Sequence, residues 1–201
     1  MNPAGAQVPV EAPVEAGGPR RADAVRNREK VIAAAEQVFA ERGVEAGIPE
    51  IAVRAGVGKG TVYRNFETKD DLVAAILIRR LNRFDEDILE ALESEDPAAA
   101  FREAMRKAAA RASDLTFPAG IYWPGKSTEL DETKARVKDH MTRLVRKAKR
   151  EGAIRKDAKV DEIWTLFGGV CRTLGDAGEK DPGVWRRHTD LVVDAFRPPV
   201  N

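Results

Sequence analysis

Between Gly58 and Asn65 the chain sets Lys59, Thr61, Tyr63, Arg64 and Asn65 around a second glycine, Gly60. These are the residue types that grip a nucleic acid. Hydroxyls and cations hold phosphate oxygens, while Lys, Arg and Asn side chains can reach base edges. Gly58 and Gly60 carry no side chain, and Gly60 in particular lets a duplex come close. Just downstream, Thr68 and Lys69 form a second polar pair at a helix start, able to hold a phosphate together with exposed backbone N–H groups. Arg54 upstream, and Arg20, Arg21 and Arg26 before it, are further candidates for backbone contacts. No comparable set for other chemistry is present. The sequence has no Glu-x-x-His pair, nucleophile elbow, phosphate-binding glycine loop or Cys/His cluster, so no catalytic residue is assigned and no cofactor expected. Cys171 is the single cysteine, which excludes an intramolecular disulfide. It falls on an apolar stripe and reads as a small buried hydrophobe. His140 and His188 stand apart from other ligand types, so no metal site is expected, and they are given a surface role and a helix-interface role respectively.

Those side chains need elements to position them, and the spacing of apolar residues supplies helices throughout. Val31, Ala35, Val38 and Phe39 recur at i, i+4, i+7 and i+8, predicting a helix from about Arg21 to Arg42 that Gly43 stops. Two short helices follow, 49–55 and 59–65, separated by Gly56-Val57-Gly58. Ile51, Ala52 and Ala55 face inward on the first, Val57 fills the turn, and Val62 and Phe66 fix the second from beneath. A long helix from about Lys69 to Glu93 is capped by Thr68, with Asp70 and Asp71 at the positive end of its dipole. Asp96-Pro97 opens another helix. Residues 114–127, rich in Pro and Gly, read as a loop or a short distorted helix. Thr128-x-x-Asp131 resembles a capping box for a helix ending near Glu151, and two last helices cover about 160–174 and 182–196.

The stretch from Ile51 to Phe66, with Glu67-Thr-Lys-Asp-Asp-Leu72 after it, resembles the helix-turn-helix of the tetracycline-repressor (TetR) family of bacterial regulators. The resemblance covers about residues 26–72. It implies an all-α protein: a helix-turn-helix domain over 20–68, followed by a helical-bundle domain for effector binding and dimerisation over 69–201. It further implies a sequence-specific transcriptional regulator, a repressor in the family's usual mode, released from a palindromic operator by a small molecule. Two recognition helices on a two-fold axis can read half-sites in successive turns of double-stranded DNA, so a homodimer is expected. Gly58 stands where the family often has a small hydroxyl residue, Asn65 where it commonly has His, and Gly47 near a usual Thr. Base reading therefore leans on Lys59, Arg64 and Asn65, or on DNA shape. The alternatives are a helical protein-interaction module and, more remotely, a helical-bundle enzyme.

Under that fold Phe84, Ile88, Met105, Met141, Trp164 and Phe167 converge on the bundle interior, either as an effector pocket or as plain core. Tyr122 and Trp123, beside Pro124, are candidates for the pocket entrance or an aromatic plug. Gly168 and Gly169 permit close approach of a helix, from a second subunit or from within the same one. The run from Lys134 to Lys159 holds eleven cations against three acids and reads as a solvated face.

The whole chain of 201 residues balances 34 Lys and Arg against 33 Asp and Glu, with 43% hydrophobic residues. That is a globular composition with enough apolar material for a real core. Residues 1–19 are the exception: four prolines, three glycines and no aromatic residue predict a disordered tail. No secretory leader and no membrane span are expected, which places the protein in the cytoplasm.

Overall fold

The spacing of three and four residues between apolar side chains recurs in the elements of the computed structural model, which describes residues 19–113 and 127–199, with the side chains of residues 19–21 left aside. Among the described residues there are eight α-helices and no strand. They are α1 (Pro19–Arg42), α2 (Ile48–Ala55), α3 (Lys59–Asn65), α4 (Lys69–Glu93), α5 (Pro97–Ser113), α6 (Thr128–Arg150), α7 (Val160–Asp176) and α8 (Pro182–Asp194). All of the expected disordered tail but Pro19, which opens α1, and most of the expected 114–127 loop, with Tyr122 and Trp123, lie outside the described residues. None of the described helices is long and apolar enough to cross a membrane.

Two cores share α4. The first is built from Val31, Ala35 and Phe39 of α1, Ile51 of α2, Val62 of α3 and Leu72, Val73 and Ile76 at the start of α4. The second gathers Phe84 and Ile88 from farther along α4, Phe101 and Met105 of α5, Met141 and Leu144 of α6, Ile163 of α7 and Trp185 of α8. α6 lies along α4, and α5 along α8. Packing of the first core thus continues past residue 69 to Ile76, and α4 contributes to both cores.

Helix ends follow local chemistry. Gly43 and Gly152 stop α1 and α6 with φ of 77° and 72°, a left-handed backbone that a Cβ disfavours. Asp96 caps α5 by accepting from the N–H groups of Ala98 and Ala99 at 3.0 and 2.9 Å. At α6 the expected Thr128 cap is displaced by one residue. Ser127 has the extended backbone a cap needs, and its hydroxyl accepts from Leu130 N at 3.3 Å, while Thr128 is already helical.

The cations of α6 are busier than a solvated face. Arg136 Nε donates to the buried carboxylate of Asp85 at 3.2 Å, and Lys147 Nζ donates to the carbonyls of Leu92 and Ser94 at 2.7 and 2.6 Å, closing the C-terminal end of α4. His140, read as a surface residue, is half-buried, with Nδ1 at 2.7 Å from Asp85 Oδ1. Arg143, Arg146 and Arg150 do face outward. Between α5 and α8, Arg106 binds Asp190 through two hydrogen bonds of 2.8 Å and Arg102 spans Asp190 and Asp194 at 3.1 and 2.6 Å.

Candidate nucleic-acid interface and bundle cavity

The reading element is α3, and the chain holds it from one side only. α2 ends at Gly56, whose left-handed backbone (φ 65°) brings Val57 N back to Ala52 O at 3.0 Å. α3 then starts at Gly58, with no side chain capping it. Beneath, Ile51, Val62 and Phe66 are buried in the first core. Phe66 also carries the guanidinium of Arg28 over its ring at 4.5 Å, and Arg28 donates to Asn65 O at 3.3 Å, pinning the end of α3 to α1. Sequence reasoning passed over Arg28, whose work depends on a contact between residues far apart in the chain.

On the open side lie Lys59, Gly60, Tyr63 and Arg64. Tyr63 is 54% exposed, a large ring left outside the first core. Lys59 and Tyr63 have no partner among the described residues. Arg64 is folded along its own helix, Nε donating to Gly60 O at 3.2 Å and Nη2 to Thr61 Oγ1 at 3.0 Å. Asn65 Nδ2 donates to Thr61 O at 2.7 Å. A Cβ placed on Gly58 or Gly60 would meet nothing within 4 Å, so packing inside the chain does not call for glycine at either place.

The remaining candidates are tied to neighbours. Arg54 grips Glu41 of α1 with hydrogen bonds of 2.8 and 2.6 Å, and that hydrogen-bonded guanidinium holds the Glu41 carboxyl below its usual range. Thr68 and Asp71 form a reciprocal capping box: Thr68 Oγ1 accepts from Asp71 N at 3.1 Å and donates to Asp71 Oδ2 at 2.8 Å, and Thr68 N donates to the same oxygen at 2.9 Å. Asp71 therefore engages both the hydroxyl and the backbone N–H of Thr68. Lys69 extends its Nζ over the Phe39 ring at 5.8 Å. Arg26 pairs with Asp23.

In the second core, the candidate pocket residues divide. Phe84, Trp164 and Phe167 line a cavity of about 270 Å³ together with Leu77, Leu81, Arg80, Arg83 and Arg111. Phe84 and Trp164 meet edge to face, centroids 5.6 Å apart. Ile88, Met105 and Met141 are fully buried core instead and do not line it. The three arginines were not foreseen. The signal was in the sequence: Leu77, Arg80, Leu81 and Phe84 fall at i, i+3, i+4 and i+7, which puts Arg80 on the apolar stripe of α4.

Gly168 and Gly169 have no neighbour within 4 Å of a Cβ built on them, so nothing among the described residues packs closely there. On the same two last helices Leu166 and Leu191 are 47% and 57% exposed. The Cys171 thiol, by contrast, is packed against the second core, and burial pushes it up to about 12.

Comparison with known proteins agrees with this architecture. Residues 31–76 match the family model for bacterial regulatory proteins of the tetR family, and residues 96–198 match the SbtR-like transcriptional regulator C-terminal domain. The solved TetR transcription regulatory protein of Mycobacterium vanbaalenii is 34% identical, with 79% of this chain and 98% of that one covered and a TM-score of 0.56. Among curated proteins, the transcriptional repressor BepR of Brucella suis is 41% identical over 78 residues, 38% of this chain and 37% of its own length. The transcriptional activator FasR of Mycolicibacterium smegmatis is 37% identical over 83 residues, 39% and 38% of the two lengths. The chain thus spans well under half the length of these curated relatives.

Proposed function

Since the chain belongs to the TetR family of DNA-binding transcriptional regulators, we propose that it works as a homodimeric repressor, reading a palindromic operator with α3 and releasing it when a small molecule enters the bundle cavity. The observation that carries this reading is the one-sided seating of α3. Its underside is buried, its outer face presents Lys59 and Tyr63 with no partner among the described residues, and Gly58 and Gly60 leave that face low. A recognition helix needs this arrangement to enter the major groove. Arg64 and Asn65 are within the same seven-residue helix and can turn from their local hydrogen bonds to a base or phosphate.

The same geometry supports a dimer. One α3 covers only a few base pairs, and the open stretch of α7 and α8 around Leu166, Gly168, Gly169 and Leu191 offers a self-complementary surface for a second copy. Regulation runs through α4, which belongs to both cores. Glu36 of α1, almost fully buried, lies 3.8 and 3.7 Å from Arg79 and Arg80 of α4, and Arg80 also lines the cavity. A ligand that favours one tilt of α4 changes the separation of the two α3 helices. Coupling of about 1–3 kcal/mol would change operator affinity by roughly 5- to 150-fold. Curated relatives include both a repressor and an activator; repression is the family's usual mode.

Selection of bound duplexes from a random pool at about 0.15 M salt, where phosphate-only binding is weak, tests the proposal. Enrichment of one inverted repeat is expected. A folded protein that enriches no sequence would contradict it.

A further inference from the structure

The cavity in the second core has an unusual balance of groups. Its apolar walls, Leu77, Leu81, Phe84 and Phe167, are those of an ordinary ligand pocket, and its volume of about 270 Å³ suits a small molecule. Its polar side chains are all of one kind. Arg80, Arg83, Arg111 and Trp164 can only donate hydrogen bonds, and among the described residues no lining side chain is an acid or an acceptor.

The acids nearby do not neutralise that surplus from inside the cavity. Glu36 sits 3.7 Å from Arg80 but is shared with Arg79, and Asp87 pairs with Arg111 while lying 3.9 Å from Lys107. Glu86, exposed on α4, acts on Arg111 only through space. Burial holds the guanidinium groups of Arg80 and Arg111 below their usual range, and the charge of Arg83 adds to the effect on both. Trp164 Nε1 is buried with no hydrogen-bond partner among the described residues, a donor able to meet an acceptor. A cationic ligand would meet three like charges here. A neutral one would leave Arg83, which has no ion pair among the described residues, and the indole without a partner.

We propose that the cavity takes a small anionic amphiphile, an organic acid whose oxyanion lies against Arg80, Arg83 and Arg111 with Trp164 Nε1 donating to it, and whose apolar body fills the space between Leu77, Leu81, Phe84 and Phe167. Guanidinium groups suit the role because they bind carboxylates through paired hydrogen bonds and stay charged when partly buried. The assignment rests on the reading of this cavity as the effector site.

The test uses the full chain without DNA, ¹⁵N-labelled, titrated with decanoate, decan-1-ol or decylammonium below their micelle concentrations. The indole N–H signals are read, with Trp164→Phe identifying that of Trp164. Decanoate is expected to move the Trp164 signal and to bind at least about tenfold more tightly than decan-1-ol, a difference of about 1.4 kcal/mol; decylammonium should leave the signal in place. Arg83 has no ion pair among the described residues, so Arg83→Met should fold normally, lose most of the preference for decanoate and bind decan-1-ol as before. Equal affinity for acid and alcohol, a Trp164 shift with decylammonium, or no shift with decanoate up to about 1 mM would each overturn the proposal. So would an Arg83→Met variant that keeps the full preference. Binding is measured without operator, so failure here leaves the DNA-reading proposal standing, and failure of duplex selection leaves this result standing.

Discussion

Replacing Thr68 by Ala separates two roles for one hydroxyl. In the structure Thr68 Oγ1 is fully engaged with Asp71, accepting from its N–H at 3.1 Å and donating to its carboxylate at 2.8 Å, while only the backbone bond from Thr68 N at 2.9 Å would survive the change. Loss of an N-cap hydroxyl costs about 0.5–2 kcal/mol. The upper half of that range is expected here, because the first turns of α4 carry Leu72 and Val73, both buried without remainder in the first core, and fraying would begin to expose them. A loss of about 1–2 kcal/mol in a chain of this length lowers Tm by roughly 2–8 °C, readable by circular dichroism at 222 nm. Thr68→Ser keeps the hydroxyl and should retain most of the stability. Well below both melting temperatures, Thr68→Ala should cost less than about tenfold in operator affinity, since the group it removes already serves Asp71. An unchanged Tm combined with a loss of tenfold or more would refute the capping account and make Thr68 a phosphate ligand.

Other consequences are equally open to measurement. Gly43→Ala should destabilise by about 1–2 kcal/mol, because φ of 77° strains a Cβ even though nothing lies within 4 Å of it, whereas Gly60→Ala, in a helix with ordinary backbone, should be neutral or stabilising by up to about 1 kcal/mol; urea titrations of both variants test this contrast. The two hydrogen bonds of Arg106, then the one from Arg102, hold the Asp190 carboxyl below its usual range. A depressed carboxylate contributes stability above its unfolded pKa of about 4 and loses it as pH falls through the folded value, so Asp190→Asn should lower Tm at pH 7 and narrow its gap to wild type below about pH 4. The Cys171 thiol, raised to about 12 by burial, should react with a disulfide reagent at pH 8 far more slowly in the native protein than in urea, where an ordinary thiol pKa returns. Equal rates in the two states would show that the side chain is not held as described.

The fold was largely legible because it rests on local signals. Repeating apolar positions mark α1 and α4, Gly43 and Gly152 mark the stops, and the turn from Gly56 to Gly58 sets α2 against α3. The outer face of α3 was legible for the same reason: once Val62 and Phe66 are assigned inward, Lys59 and Tyr63 have only one side left to occupy. What escaped depends on pairs distant in the chain. Arg54 pairs with Glu41 of α1, and cations of α6 reach the carbonyls ending α4 and the carboxylate of Asp85. Arg28 on Phe66, and Arg80, Arg83 and Arg111 around the cavity, are likewise products of assembly. A charged residue can be counted in a sequence, but its partner cannot be read there. The split of the pocket candidates has a similar origin, since large apolar residues on one stripe look alike until packing shows which of them border a space.

Hydroxyl-radical footprinting on the selected duplex addresses the central claim most directly, that two copies of α3 read DNA from an open face. Two protected patches are expected on one side of the duplex, one helical turn of about 10–10.5 base pairs or a multiple of it apart, symmetric about the centre of the repeat. The Lys59→Ala, Tyr63→Ala double variant, with native circular dichroism and sedimentation, should leave both patches open. Protection that ignores the repeat, or that survives the double variant unchanged, would contradict the account.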